Sequence, residues 1–284
     1  MTLSEIILTR VDNLVSEDAD TRREVVAELG NTGSRNAVVS LVLMLFNEPL
    51  REIREAAAKS LKKIEVWIEE TDRQIMIGGL ISGDWKTREA CAFVLGELGL
   101  KSSVGHLVKR LGDRNYTVHE AAGNALKKIR CRKAELFHEV FFCNKKERIH
   151  ELRRYVKDVR RLLHAENPEV RKMATRTVGI FQDRESTEAL ISLLDSGDVD
   201  TCILSAEALG KIGEQKAAEP LERLSEEHPN VVVRVVAKKA LSDIRDSKEL
   251  AENHKETVRH LEKLHGRVCA DSALRSTDKE KSKR

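Results

Sequence analysis

The sequence predicts an all-α protein, an α-solenoid of about seven stacked helix pairs, and three observations carry that prediction. One short pattern returns about every 31 to 34 residues along the 284-residue chain. A fixed period of this size, with two helices per unit, belongs to repeat arrays in which each unit buries its apolar face on its neighbours. Aromatic residues make up 4% and charged residues 34% of the chain, which suits thin layers of Leu, Ile, Val and Ala between wide solvated faces. The punctuation is also periodic, with Asp or Asn before each pattern and Gly-rich endings after several of them.

The pattern is anchored on Arg22, Arg54, Arg88, His119, Arg171, Cys202 and Arg234, at steps of 32, 34, 31, 52, 31 and 32 residues. The long step equals a normal one plus about 21 inserted residues. Four positions before the anchor stand Asp18, Asp84, Asn115, Asn167, Asp198 and Asn230, whose side chains suit helix N-caps. The second repeat offers Glu48-Pro49 instead. Three repeats end Leu29-Gly30 with Gly33, Leu95-Gly96 with Gly99, and Leu209-Gly210 with Gly213. A helical Gly costs about 1 kcal/mol against Ala, so Gly210 requires close approach of another backbone, and Gly213 stands where a left-handed cap belongs. A cation in the first helical turn opposes the helix dipole. The five Arg therefore need partners, expected in the preceding acidic turn or among turn carbonyls of the neighbouring repeat. Arg22, Arg54, Arg88, Arg171 and Arg234, with Asp18, Asp84 and Asp198, accordingly form a structural ladder and not a binding site.

The repeats fall at about 3–31, 35–64, 71–99, 103–130, 155–182, 185–213 and 216–246. Leu61-Lys62-Lys63-Ile64 and Leu126-Lys127-Lys128-Ile129, 65 residues apart, indicate duplication of a two-repeat block. The organisation expected is four repeats over 1–130, a basic, Phe-bearing helical insert over 131–158, and three repeats over 159–246. A C-terminal capping helix over 247–266 would cover the last apolar face. A Ser- and Lys-rich tail over 267–284 would be disordered.

Val170-Arg171 with Ala174, and the run Ser205-Ala206-Glu207-Ala208-Leu209-Gly210-Lys211-Ile212-Gly213, resemble the HEAT repeat, most closely the short HEAT-like type of the phycobilisome lyases. The resemblance spans about residues 3–246 outside the insert, and His119 and Cys202 depart from its Arg slot. It implies that the second helix of each pair lines a concave face. It also implies a scaffold, adaptor or regulatory subunit, since most members are such. A minority are bilin lyases, a di-iron deoxyhypusine hydroxylase or DNA glycosylases. Of the pairs His119-Glu120, His138-Glu139 and His150-Glu151, only the first falls inside a repeat, one residue out of register for the hydroxylase. Trp67 and Trp85 have no aromatic neighbour in sequence and are expected to fill gaps between repeats.

The insert is where the sequence becomes particular. Residues 127–161 hold 13 Lys or Arg against five Asp or Glu, while the whole chain carries a net +3. Three of the six Phe lie in Phe137-His138-Glu139-Val140-Phe141-Phe142, with Phe137 and Phe141 sharing a helical face. Three readings stand: a helical hairpin whose Phe pack inward, a docking site for a protein, and a nucleic-acid patch. As a partner surface it would use Lys133, Phe137, Phe141, Phe142, Lys145, Lys146, Arg148, Arg153 and Arg154. Cys131, His138, Cys143 and His150 are spaced 7, 5 and 7 apart, wider than zinc pairs usually are. No metal or cofactor is expected, no nucleophile or phosphate-loop motif is visible, and the chain is expected not to be an enzyme. Five scattered Cys without a CxxC pair and no run of 18 apolar residues point to a cytoplasmic protein without membrane contact. The expected function is an interaction scaffold or regulatory subunit for a protein partner, with nucleic acid on residues 127–161 as the alternative.

Overall fold

The computed structural model describes Leu14 and residues 16–281. Among them are fourteen α-helices and no strand: α1 (Ala19–Thr32), α2 (Arg35–Asn47), α3 (Arg51–Lys63), α4 (Glu70–Gly79), α5 (Trp85–Glu97), α6 (Val104–Arg110), α7 (Tyr116–Lys128), α8 (Arg132–Phe137), α9 (Val156–Arg161), α10 (Pro168–Phe181), α11 (Thr187–Leu194), α12 (Val199–Ile212), α13 (Ala218–Glu227) and α14 (Val231–Lys281). The fold is an all-α array of repeated helix pairs. Its pairs are α2/α3, α4/α5, α6/α7, α9/α10, α11/α12 and α13/α14, preceded by α1 as the second helix of repeat one. The first helix expected for that repeat lies outside the described residues.

The chain divides into two compact units, one running through Phe181 and one from Gln182. The cut falls between repeats five and six, so the insert belongs to the first unit. There, second helices stack side by side. α5 packs on α3 and on α7, so Thr87 to Ala92 and Val94 to Gly96 are all buried. The close approach demanded of the helical Gly is present in both units. A methyl at Gly96 would stand 2.6 Å from the Ala125 Cα, and one at Gly210 would stand 2.9 Å from the Ala240 Cα.

The caps form as their chemistry dictates. Asp18 accepts from the Thr21 amide, Asp84 from the amides of Lys86 and Thr87, and Asn115 from that of Thr117. Asp198 instead takes the Thr201 hydroxyl at 2.5 Å. In repeat two, Glu48 accepts from the Leu50 amide at 3.0 Å.

The anchor residues all do one job. Arg54 Nη1 donates to the carbonyls of Glu48 and Pro49, Arg88 Nη1 to those of Ser82 and Gly83, and Arg234 Nη1 to those of His228 and Pro229. Arg22 and Arg171 reach the carbonyls of Ser16 and Ala165, likewise six positions back. The shorter donors fold back further: His119 Nδ1 meets the Leu111 carbonyl at 2.6 Å, and Cys202 Sγ meets that of Leu194 at 3.1 Å. Each ties off orphan carbonyls where the first helix of its own repeat turns into the second. A carboxylate from the following repeat completes three of them: Glu48 for Arg22, Glu89 for Arg54 and Asp113 for Arg88. This corrects the expected partners. The carbonyls belong to the same repeat, and the acids come from the next one.

The C-terminus also differs from expectation. α14 runs without a break across the boundaries drawn at 247 and 267. Val233, Ala237, Ala240, Leu241 and Ile244 bury one stripe of it against α12 and α13. Residues 245–250 and 252–260 are exposed, so a capping role over 247–266 finds no support there. The helix continues past this stripe to Lys281.

Candidate functional site

Two surfaces of the first unit merit attention. One is a groove of about 410 Å³ across α3, α5 and α7, lined by Arg51, Glu55, Glu89, Phe93, Asn124 and Lys127 among others. Its floor is ionic. Arg54 Nη2 donates to Glu89 Oε2 at 2.7 Å, with both side chains under 5% exposed. Arg51 binds Glu55 at 2.9 Å and approaches the second Glu89 oxygen at 3.5 Å. That oxygen and Arg54 Nε, both buried, have no hydrogen-bond partner. Its wall is softer: Lys128 Nζ binds Glu97 at 2.6 Å and lies 4.8 Å from the centre of the Phe93 ring, a cation–π contact. Sequence reasoning missed Glu89, Phe93 and Asn124. The signal was there, because position five after each anchor faces away from the small-residue stripe, and in repeat three a Phe occupies it.

The second surface is the insert, and here the predicted partner residues separate. Phe137 is fully buried and stacks on Phe141 at 5.5 Å between ring centres, and Phe141 is itself 7% exposed. Leu136, Val140, Ile149 and Leu152 bury with them. Phe137 and Phe141 are core residues and not docking anchors, which corrects that expectation. Phe142 is half-buried, its ring filling the space where Gly123 has no side chain and sitting 5.3 Å from both His119 and His138. Three of these cations are spent inside the insert. Lys133 binds Asp158 at 2.6 Å, Lys145 binds Glu139 at 2.8 Å, and Arg148 is held by Glu135, Glu139 and Glu151. Arg153 donates to the Phe181 carbonyl at 3.2 Å and lies over its ring. Lys146 and Arg154 are exposed and, among the described residues, without an ion-pair partner. The densely basic stretch is thus paired internally in part and keeps a net excess of cations.

The remaining candidates fall as follows. Among the described residues no group of three or more His, Cys, Asp or Glu could hold a metal ion. Cys131 caps α8 by accepting from the Ala134 amide, and His138 and Cys143 meet each other. Trp67 is 49% and Trp85 37% exposed, so neither is the gap-filler expected. No described helix is long and apolar enough to cross a membrane.

No protein-family model matches the chain, and no curated protein matches it. Similar solved structures include the complex of CpcE and CpcF of phycocyanin lyase from Nostoc sp. PCC7120, at 20% identity and TM-score 0.34, covering 87% of this chain and 94% of that one. Human deoxyhypusine hydroxylase in complex with glycerol is similar at 15% identity and TM-score 0.35, covering 85% and 96%. A computationally designed armadillo repeat protein for modular peptide recognition is similar at 18% identity and TM-score 0.31, covering 84% and 99%. At these identities the likeness concerns fold alone. The expectation that the chain is not an enzyme is corrected: structures of this repeat type include a phycocyanin lyase and a deoxyhypusine hydroxylase, so the architecture does not set catalysis aside.

Proposed function

We propose that this chain is an interaction scaffold that seats a segment of a protein partner in the groove across α3, α5 and α7. The observation that carries the reading is the groove's construction: a buried Arg54–Glu89 pair with hydrogen-bonding capacity left over, beside the half-exposed Phe93 and the exposed Asn124 and Lys127. Aromatic and Arg-centred surfaces of this kind supply the anchors of protein interfaces. The open Lys127 in its lining, with the exposed Arg130 three residues on, suits a partner segment that is acidic there. Scattered, unpaired thiols support action in the cytoplasm. Nucleic acid is less well served, because Lys133, Lys145 and Arg148 are engaged with carboxylates, which leaves Lys127, Arg130, Lys146 and Arg154 as its open cations.

The test is capture from native lysate with nuclease present, comparing wild type with Phe93→Ala/Asn124→Ala and with Lys127→Glu/Arg130→Glu. A stoichiometric protein that survives nuclease and is lost with the groove variant fits the proposal. Material released by nuclease, with affinity falling steeply in log salt, would replace it with the nucleic-acid reading.

A further inference from the structure

Beside the groove, the insert holds a feature the scaffold reading does not use. Residues 138–142 form a π-helical turn, closed by the Cys143 amide donating to the His138 carbonyl at 2.9 Å and followed by Asn144 at φ 56°. A five-residue closure stacks side chains that an α-helix would set apart, and such turns concentrate at functional sites. Here it places Cys143 Sγ 3.7 Å from Nδ1 and 3.8 Å from Nε2 of His138. The His138 ring is fixed from its other side by Phe142. Cys143 is exposed, and the pair opens into a concavity of about 580 Å³. Four cations line it, Lys127, Arg130, Arg132 and Lys145, against two carboxylates, Glu135 and Glu139. Both carboxylates are already bound by Arg132, Arg148 or Lys145. Lys127 and Arg130 have no ion-pair partner among the described residues.

We propose that Cys143 and His138 form a reactive thiol site that exchanges with small disulfides carrying carboxylates. The Cys143 proton passes to the imidazole. The thiolate attacks one sulfur of the incoming disulfide, so a new S–S bond forms on Cys143 as the old one breaks. The other half leaves as a thiolate and takes the proton. Cys143 is oxidised, the departing thiol is reduced, and no further oxidant is required. Thiolates gain reactivity next to cations and a base, and Lys127 and Arg130 supply the charge that selects an anionic disulfide. Burial, with Lys127 and Lys145 nearby, holds the His138 pKa below its usual value, so the ring stands neutral beside the thiol and takes its proton only as the sulfur attacks. Cys131 is the internal reference: it lines the same concavity, but its sulfur is engaged at the α8 cap.

The experiment treats the reduced full-length chain with oxidised glutathione or with cystamine, a cationic disulfide. Modification at each Cys is followed by quantitative peptide mass spectrometry across pH 5.5–9. Cys143 is expected to react at least about tenfold faster than in the urea-unfolded chain. It should also outpace Cys131 and prefer oxidised glutathione to cystamine. His138→Gln should slow the reaction of Cys143 and change its rate–pH profile, and Lys127→Glu/Arg130→Glu should abolish the preference between disulfides. A folded-state rate no greater than that of the unfolded chain overturns the proposal whether or not the variants fold. An unchanged profile in a folded His138→Gln protein overturns the role of the pair.

Discussion

Replacing Arg88 by Met tests the anchor ladder where it is most fully built. Arg88 makes four hydrogen bonds: Nε and Nη2 grip Asp113 at 2.8 and 2.9 Å, and Nη1 spans the carbonyls of Ser82 and Gly83 at 2.9 and 3.0 Å. The side chains of Arg88 and Asp113 are 8% and 2% exposed. Removing the cation leaves Asp113 buried with only Arg110 and the Asn115 amide as partners. Breaking a buried pair from one side costs about 3–5 kcal/mol, most of it the penalty of the stranded charge. In a compact unit of this size that lowers Tm by on the order of 10 °C. The double variant Arg88→Met/Asp113→Leu removes the stranded charge too and should be less destabilised than Arg88→Met alone. The pH dependence has a fixed sign. Burial raises the Asp113 pKa, but the hydrogen bonds from Arg88 and the Asn115 amide outweigh it and leave the pKa below its ordinary value. Stability from this pair is therefore complete above the unfolded carboxylate pKa of about 3.9 and is lost as pH falls through the lower folded value. Urea titrations at pH 7 and across pH 2–5 measure both effects. An Arg88→Met protein within about 1 kcal/mol of wild type, or one whose acid sensitivity matches wild type, would refute the ladder as a source of stability.

Other perturbations separate core from surface. Phe137→Ala should cost about 3–5 kcal/mol, because its ring is fully buried. Phe142→Ala should cost distinctly less, its ring being half-buried; chemical denaturation decides between them. Gly96→Ala should destabilise by about 1–3 kcal/mol despite the gain in helix propensity, since the new methyl would meet the backbone of Ala125. Equal or greater stability by thermal unfolding would show that α5 and α7 separate more easily than their packing implies.

The repeat was legible because each of its parts has a local cause. Asp84 before an apolar run is a cap wherever it occurs, and Gly96 in mid-helix is tolerable only under another backbone. The partners of the anchors were not legible, because they are set by the offset between repeats. Asp113 lies 25 positions after Arg88 and Glu89 lies 35 after Arg54, so no fixed spacing announces them. The insert misled in the opposite sense. Its charge could be counted, but pairing of Lys145 with Glu139 and of Arg148 with three carboxylates depends on a π turn that no periodicity signals. The same turn buries Phe141 and leaves Phe142 half-open, a division that the stretch 137–142 does not show when read as an ordinary helix. The sequence divides α14 at 247, where the last repeat is expected to end, and at 267, where the chain turns Ser- and Lys-rich, while the helix runs on through both.

Cys202 offers the sharpest test of what the anchor slot requires. If the slot requires a donor to the turn carbonyls, and the charge serves to deliver that donor, then Arg should be acceptable there. The turn before Cys202 reads Ser196-Gly197-Asp198, the same tripeptide as Ser82-Gly83-Asp84 before Arg88. Arg88 donates to the first two carbonyls of its own turn. An Arg at 202 would find the equivalent carbonyls six and five positions back, and Glu227 stands 25 positions ahead, the offset from Arg88 to Asp113. The present thiol is fully buried, and burial, together with Asp195, pushes its pKa up, so it contributes one neutral hydrogen bond. Cys202→Arg should therefore stay within about 1.5 kcal/mol of wild type, and Cys202→Lys should fall well below it, because an ammonium lacks the planar fork that spans two carbonyls and a carboxylate at once. Urea denaturation of the two variants side by side reads the difference. Equal, large losses would mean that this repeat has closed its slot around a small side chain, and that the anchor residue is not interchangeable between repeats.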